Sequence, residues 1–247
     1  MHIPPGQAID DEAQLYGFIR DNPLGVLTTA LASSHELPLL QSTHIPWVLD
    51  PHDGTVLRGH MARANPHTKI LIEAADKDQA EGRIGDEVMV LFTAPHNAYV
   101  TPKFYIKTKP ETGKVVPTWN YSAVQVHGRA KVFTRAQEEE TKQFLSKQLC
   151  DLTDELEQRH LRLTGKGDEA PWKVADAPQA YVNVLSRGII GIEIAVTRIE
   201  GRHKMSQDKH EEDREGVSRG FENVGTETGQ IIADLVRELG SNNPDLQ

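Results

Sequence analysis

The chain has one cysteine, Cys150, among 247 residues. That excludes an internal disulfide, and with it zinc or iron–sulfur sites built on paired thiolates and haem attached covalently through cysteine. Long apolar runs are missing as well. No stretch approaches the ~20 residues that cross a bilayer, and the start of the chain has no basic segment followed by an apolar one. The expectation is a soluble, unsecreted, cytoplasmic protein with no membrane partner. Positive charge is scarce, with 27 Lys and Arg against 36 Asp and Glu and a formal charge of −9. That balance opposes nonspecific nucleic-acid binding, whose affinity comes from cations displacing phosphate counterions. A DNA role would need a local basic patch. Two common signatures are absent too: there is no His-Glu-x-x-His helix, and Thr164-Gly165-Lys166-Gly167 lacks the leading glycine of a phosphate-binding loop. The spacings of His60 and His67, and of His203 and His210, have no metal-ligand meaning, so no metal site is expected.

The length suits one large domain, or a core with appendages, and is ample for an apolar core. A helix capped by Asp10 or Asp11 puts Leu15, Phe18 and Ile19 on one face and must end before Pro23. Strand patterns follow over 24–31 and over 37–49, the second interrupted by Pro46, and Asp53-Gly54 supplies a turn into Thr55, Val56 and Leu57. Asn65-Pro66 opens a short helix that carries Ile70, Leu71 and Ala74 inward. A strand over 87–93 leads to a long ordered loop over 94–120 with at most a short strand in it, then a strand over 121–133. An amphipathic helix over 137–160 is marked by Leu145, Leu149, Leu152 and Leu156, and a further helix spans 177–186. Ile190, Ile192, Ile194 and Val196 give the cleanest period-two pattern, a half-buried strand. Character changes at Gly201, after which 208–219 reads as a solvated helix and Ile231, Leu235 and Leu239 as a weak amphipathic one. Two groups of strands with helices inserted between them predict an α+β protein built on an antiparallel barrel.

Four segments carry a resemblance: Gly59-His60-Met61-Ala62-Arg63-Ala64-Asn65-Pro66, Pro117-Thr118-Trp119-Asn120-Tyr121, Gly188-Ile189-Ile190-Gly191-Ile192-Glu193, and Lys204-Met205-Ser206-Gln207. In order and spacing the chain resembles the PaiB-like flavin mononucleotide (FMN) binding family, named for negative transcriptional regulators and classed with FMN-binding split barrels. His2, Phe104 and Asp208 depart from its usual Tyr, Trp and Asn, and the segment Ala94–Tyr99 is slightly lengthened. The resemblance implies an antiparallel split β-barrel with peripheral helices over residues 1–221, followed by a C-terminal helix and polar tail over 222–247. It also implies FMN as cofactor, a small-molecule ligand, and a homodimer with the loop near Trp119 and the segment near Lys204 close to the partner chain.

FMN presents a phosphate dianion, a hydroxylated ribityl chain and a flat ring, which call for cations, polar partners and flat apolar walls. The candidate contacts are His60, Met61, Ala62, Arg63, Asn65 and Lys69 in the first segment, Thr118, Trp119 and Asn120 in the second, and Lys204, Ser206 and Gln207 in the last. Arg63 and Lys69 flank a helix start, where free N–H groups and the helix dipole favour an anion. The competing reading makes Arg63 the partner of an acidic neighbour and His60 a satisfied barrel residue. Trp119 could equally cap the core, and Asn120 could close the turn. No residue is assigned a catalytic role. Three functions stay open: an FMN-dependent oxidoreductase, a ligand-responsive regulator, and a haem-handling split barrel with His60, His96 or His127 as single axial ligand.

Overall fold

The computed structural model describes residues 1–50, 54–77, 82–167 and 169–241. Its elements run α1 (Glu12–Asp21), β1 (Leu24–Ala30), β2 (Leu40–Leu49), β3 (Val56–Ala62), α2 (Pro66–Lys77), β4 (Arg83–Thr93), β5 (Ala98–Val100), α3 (Thr108–Thr112), β6 (Thr118–Phe133), α4 (Glu139–Leu163), α5 (Gln179–Ser186), β7 (Ile189–Lys204), α6 (Glu211–Glu222) and α7 (Glu227–Ser241). The strand order is β4-β1-β2-β3-β7-β6-β5, and an extra pairing of β4 with β6 closes six strands into an antiparallel barrel. The fold is thus the expected α+β split barrel with helices. Two compact units divide the chain, one of Met1–Phe18, Phe92–Gln125 and Glu200–Gln247, the other of Ile19–Leu91 and Val126–Ile199.

In the second of these units the period-two pattern sets the registers. β3 pairs with β7 from Val56 opposite Ala195 to Ala62 opposite Ile189, and Leu57, Met61, Ile190, Ile192 and Ile194 are buried. Gly59 is needed where Trp47 lies across it, because a Cβ there would sit 2.9 Å from the indole. Pro46 does not break β2, contrary to expectation. It stands opposite Leu24 at the end of the β1 ladder, just before Trp47 takes up β3, where a missing N–H costs no ladder bond. In α2, Ile70 and Leu71 are buried as expected, but Ala75 is buried where Ala74 was expected. α4 buries Leu145 and Leu152, while its Phe144 ring packs over Gly191, the glycine opposite His60. α5 forms where a helix was expected, yet it buries none of its residues.

In the other unit β7 runs on past Gly201, where a change of character was expected, to Lys204. Gly201 permits this by leaving room for Leu15, Ile9 and Val124, whose side chains a Cβ would strike. The stretch 208–219 is not a solvated helix. α6 buries Val217 and Phe221 in a cluster with Val100, Tyr105, Met205, Ile232 and Val236. Its Asp213 is buried because the carboxylate accepts the Lys107 N–H at 2.9 Å and the Thr108 N–H, closing the start of α3. The turn residue Asp53 and the tail beyond Ser241 lie outside the described residues.

Candidate functional site

The twelve candidate residues fall into two groups, one in each unit. His60, Met61, Ala62, Arg63, Asn65 and Lys69 lie in the second unit, on β3, in the turn that follows it and in the first turn of α2. This turn is largely self-satisfied. Asn65 caps α2, its Oδ1 accepting the His67 N–H at 2.9 Å and its main-chain oxygen the Thr68 N–H at 3.0 Å. Pro66 has no N–H, so the free donors expected for an anion at this helix start are taken up or absent.

Among the described residues Arg63 pairs with no acidic neighbour. Its Nε donates to the Arg187 carbonyl at 3.0 Å and its Nη2 to the Thr134 carbonyl, which ties the turn to the residue that follows β6 and to the residue that follows α5. Nη1 makes no hydrogen bond among the described residues and stays available to an anion. Lys69 is exposed, Ala62 is exposed and Met61 is core. His60 has a buried Nδ1 without a partner among the described residues, and burial pushes its pKa down. The sequence reading missed His67. It is buried, with Nε2 2.9 Å from Thr29 Oγ1 and Nδ1 3.0 Å from Thr43 Oγ1, and burial lowers its pKa to about 4. The residue pattern held no sign of this role, since the two threonines lie on separate strands.

Thr118, Trp119, Asn120, Lys204, Ser206 and Gln207 share the first unit and come together. Lys204 Nζ donates to Thr118 Oγ1 and, at 2.8 Å, to the main-chain oxygen of Trp119. Its pKa is lowered, first by burial and then by Arg202 and Lys209, against which Asp208 acts. Asn120 and Ser206 are buried, and Ser206 Oγ donates to Asn120 Oδ1 at 3.1 Å. Asn120 Nδ2 is buried without a partner among the described residues. Ser206 holds φ 62°, a left-handed conformation uncommon for a residue with a side chain. Gln207 turns inward, its Oε1 accepting the Met205 N–H at 2.6 Å and its Nε2 donating to the His203 carbonyl at 2.6 Å. Trp119 does not cap the core: it is 49 % exposed, as is Tyr99 at 51 %. The two rings meet edge to face at 6.2 Å, and the indole Nε1 donates to Asn97 Oδ1 at 3.0 Å. Nearby, buried Arg202 is held by Gln7, the His2 carbonyl and Tyr121.

Of the other histidines weighed as haem ligands, His96 Nδ1 lies 3.3 Å from Thr228 Oγ1 and His127 Nδ1 lies 3.3 Å from Glu87. Among the described residues no cluster of His, Cys, Asp and Glu is arranged to hold a metal ion, and no helix is long and apolar enough to cross a membrane.

Residues 1–198 match the family described as "Putative FMN-binding domain". The chain belongs to this FMN-binding, PaiB-like split-barrel family. It is 50 % identical over 248 aligned residues to an uncharacterised protein of Emericella nidulans, covering 95 % of this chain and 96 % of that one. It is 24 % identical to the protease synthase and sporulation protein PAI 2 of Bacillus subtilis, over 96 % of this chain and 97 % of the relative. Among solved structures it is similar to an FAD-binding protein of Mesorhizobium loti, at 11 % identity and a TM-score of 0.38, over 78 % of this chain and 94 % of the other. The segment Lys204–Gln207 lies beyond the residues matched to the family.

Proposed function

We propose that the protein binds FMN at a two-fold dimer interface and serves as an FMN-dependent oxidoreductase. The observation that carries this reading is the first unit's surface at Trp119, where two exposed aromatic rings stand beside the Lys204 ammonium. Flat apolar walls, a hydroxyl at Thr118 and a partly desolvated cation are what a flavin nucleotide requires. Asn120 Nδ2 is a buried polar group for which the described residues supply no acceptor. Arg63, through its free Nη1, and Lys69 are the candidate phosphate contacts; the family resemblance, rather than any geometry, joins them to the Trp119 group.

When bound, FMN supplies the hydride or electron chemistry. The chain's own part is to stack against the ring through Trp119 and Tyr99, to keep a cation at Lys204 beside them, and to hold that cation in place through Thr118 and the Trp119 carbonyl. Association is supported by the apolar surface left open: Trp119 and Val116 in one unit, and Tyr181, Val184 and Leu185 of uncharged α5 in the other. A regulator that grips DNA nonspecifically is disfavoured by the charge of −9.

A flavin-fluorescence titration with FMN, run beside light scattering at micromolar protein, tests both parts. Quenching that saturates, on a particle of twice the chain mass, is the expected result. An absorption spectrum with a Soret band, or no response to FMN, would replace the flavin reading. A monomer with and without FMN would remove the shared interface.

A further inference from the structure

A second candidate site lies wholly within the second unit and shares no lining residue with those named for the flavin. The C-terminal end of α1, β2 and α4 enclose a groove of about 800 Å³. Val48 and Leu49 of β2, both buried, and exposed Leu163 of α4 form its apolar part, and Arg20, Glu155, Arg159 and Arg162 line it from the two helices. Glu155 and Arg159 are one turn apart on α4, with Arg162 on the next, so all three side chains share a helix face.

The charges there are not spent on one another. Arg20, Arg159 and Arg162 all act on the half-buried Glu155 carboxyl, yet burial outweighs them and pushes its pKa up. No ion pair joins Glu155 to any of the three among the described residues. The one hydrogen bond from these guanidinium groups is a long one, Arg159 Nη1 to the Arg20 carbonyl at 3.5 Å. Asp151, which also lines the groove, is already committed to buried Arg58 at 2.6 Å and to Lys147 at 2.7 Å. Asp21 and Asp154 are exposed. Three guanidinium groups therefore line, with one half-buried carboxyl, a concave and partly apolar space on a chain whose overall charge is negative. Guanidinium forks bind carboxylate and phosphate in pairs of parallel hydrogen bonds, so unspent forks at a concave surface are a site for such groups.

We propose that this groove binds a small molecule carrying a carboxylate or phosphate group on an apolar body, the anion held by Arg159 and Arg162 with Arg20, and the body lying on Val48 and Leu49. Glu155 competes with the ligand for the same guanidinium groups and thereby weakens it.

Calorimetric titration with citrate and with inorganic pyrophosphate tests this, on the FMN-saturated protein and on the protein without FMN, at constant ionic strength set with chloride. The expected result is saturable binding of at least one probe that is unaffected by FMN. The double variant Arg159→Gln/Arg162→Gln should lose about tenfold or more in affinity, and Glu155→Gln should gain about threefold. Whichever probe binds tells whether phosphate or carboxylate is preferred. Melting curves of each variant establish folding, and Arg20→Gln serves as the milder substitution should the double variant melt early. No binding of either probe, unchanged affinity in the arginine variants, weaker binding to Glu155→Gln, or displacement by FMN would each overturn the proposal. The last would place the anion at the flavin's own site; loss of FMN binding alone would leave the groove's result intact.

Discussion

Lys204 Nζ lies 2.8 Å from the main-chain oxygen of Trp119, so its ammonium is held by the strand that carries the exposed indole. The same nitrogen reaches Thr118 Oγ1, and burial with the neighbouring cations lowers its pKa. Replacing Lys204 by Met should reduce FMN affinity by about tenfold, the loss of roughly 1.5 kcal/mol for one charge-assisted contact. Lys204→Arg should recover part of it. Fluorescence titration of both variants decides this, and equal affinity in Lys204→Met would remove the residue from the site.

Arg63 has a double expectation. Its bonds to the Arg187 and Thr134 carbonyls tie three chain segments together, so Arg63→Ala should lower stability by about 1 to 2 kcal/mol. If Nη1 also meets the FMN phosphate, affinity for FMN should fall about tenfold or more, while affinity for riboflavin, which lacks the phosphate, should hardly change. Urea unfolding measures the first effect, and paired titrations the second. An equal loss for both flavins would assign Arg63 to the scaffold alone.

Burial lowers the His67 pKa to about 4, and its ring nitrogens sit against Thr29 and Thr43. In the unfolded chain the same group titrates near 6.5, at about its ordinary value. The unfolded state then takes up protons that the folded state refuses. Stability is whole above about pH 6.5 and declines as the pH falls toward 4. His60 and His203, also lowered by burial, add to the same decline. The urea midpoint should fall between pH 7 and 5, and His67→Gln should flatten that slope without abolishing it. An identical slope in the variant would show that His67 is not one of the groups responsible.

Two glycines should respond oppositely to alanine. At Gly128 on β6 a Cβ would strike the Ala195 main-chain oxygen and the Ile194 side chain, and the backbone atom cannot yield cheaply. Gly128→Ala should cost about 1 to 3 kcal/mol. At Gly17, inside α1, nothing lies within 4 Å of the added carbon, so the change should stabilise by up to about 1 kcal/mol. Thermal melts of the pair give the answer, and a shift of the same sign in both would contradict these packing assignments.

Much of the barrel was written in local pattern. The alternation of Ile190, Ile192 and Ile194 and the Asn65-Pro66 helix start depend on neighbours in sequence, and both formed as periodicity and capping require. Family membership was legible for a similar reason, since unusual strings such as Thr118-Trp119-Asn120 keep their identity without reference to any partner. What the sequence left undecided are the relations between residues far apart along the chain. Whether charge-dense α6 faces water depended on the buried partners Val100, Tyr105 and Ile232, which the hydropathy of 208–219 cannot reveal. The carbonyls that occupy Arg63, 71 and 124 residues away, are visible only once β6 and the end of α5 are brought beside β3. Side-chain partners across such distances are chosen by packing, and a linear pattern carries periodicity and local hydrogen bonding but not that choice.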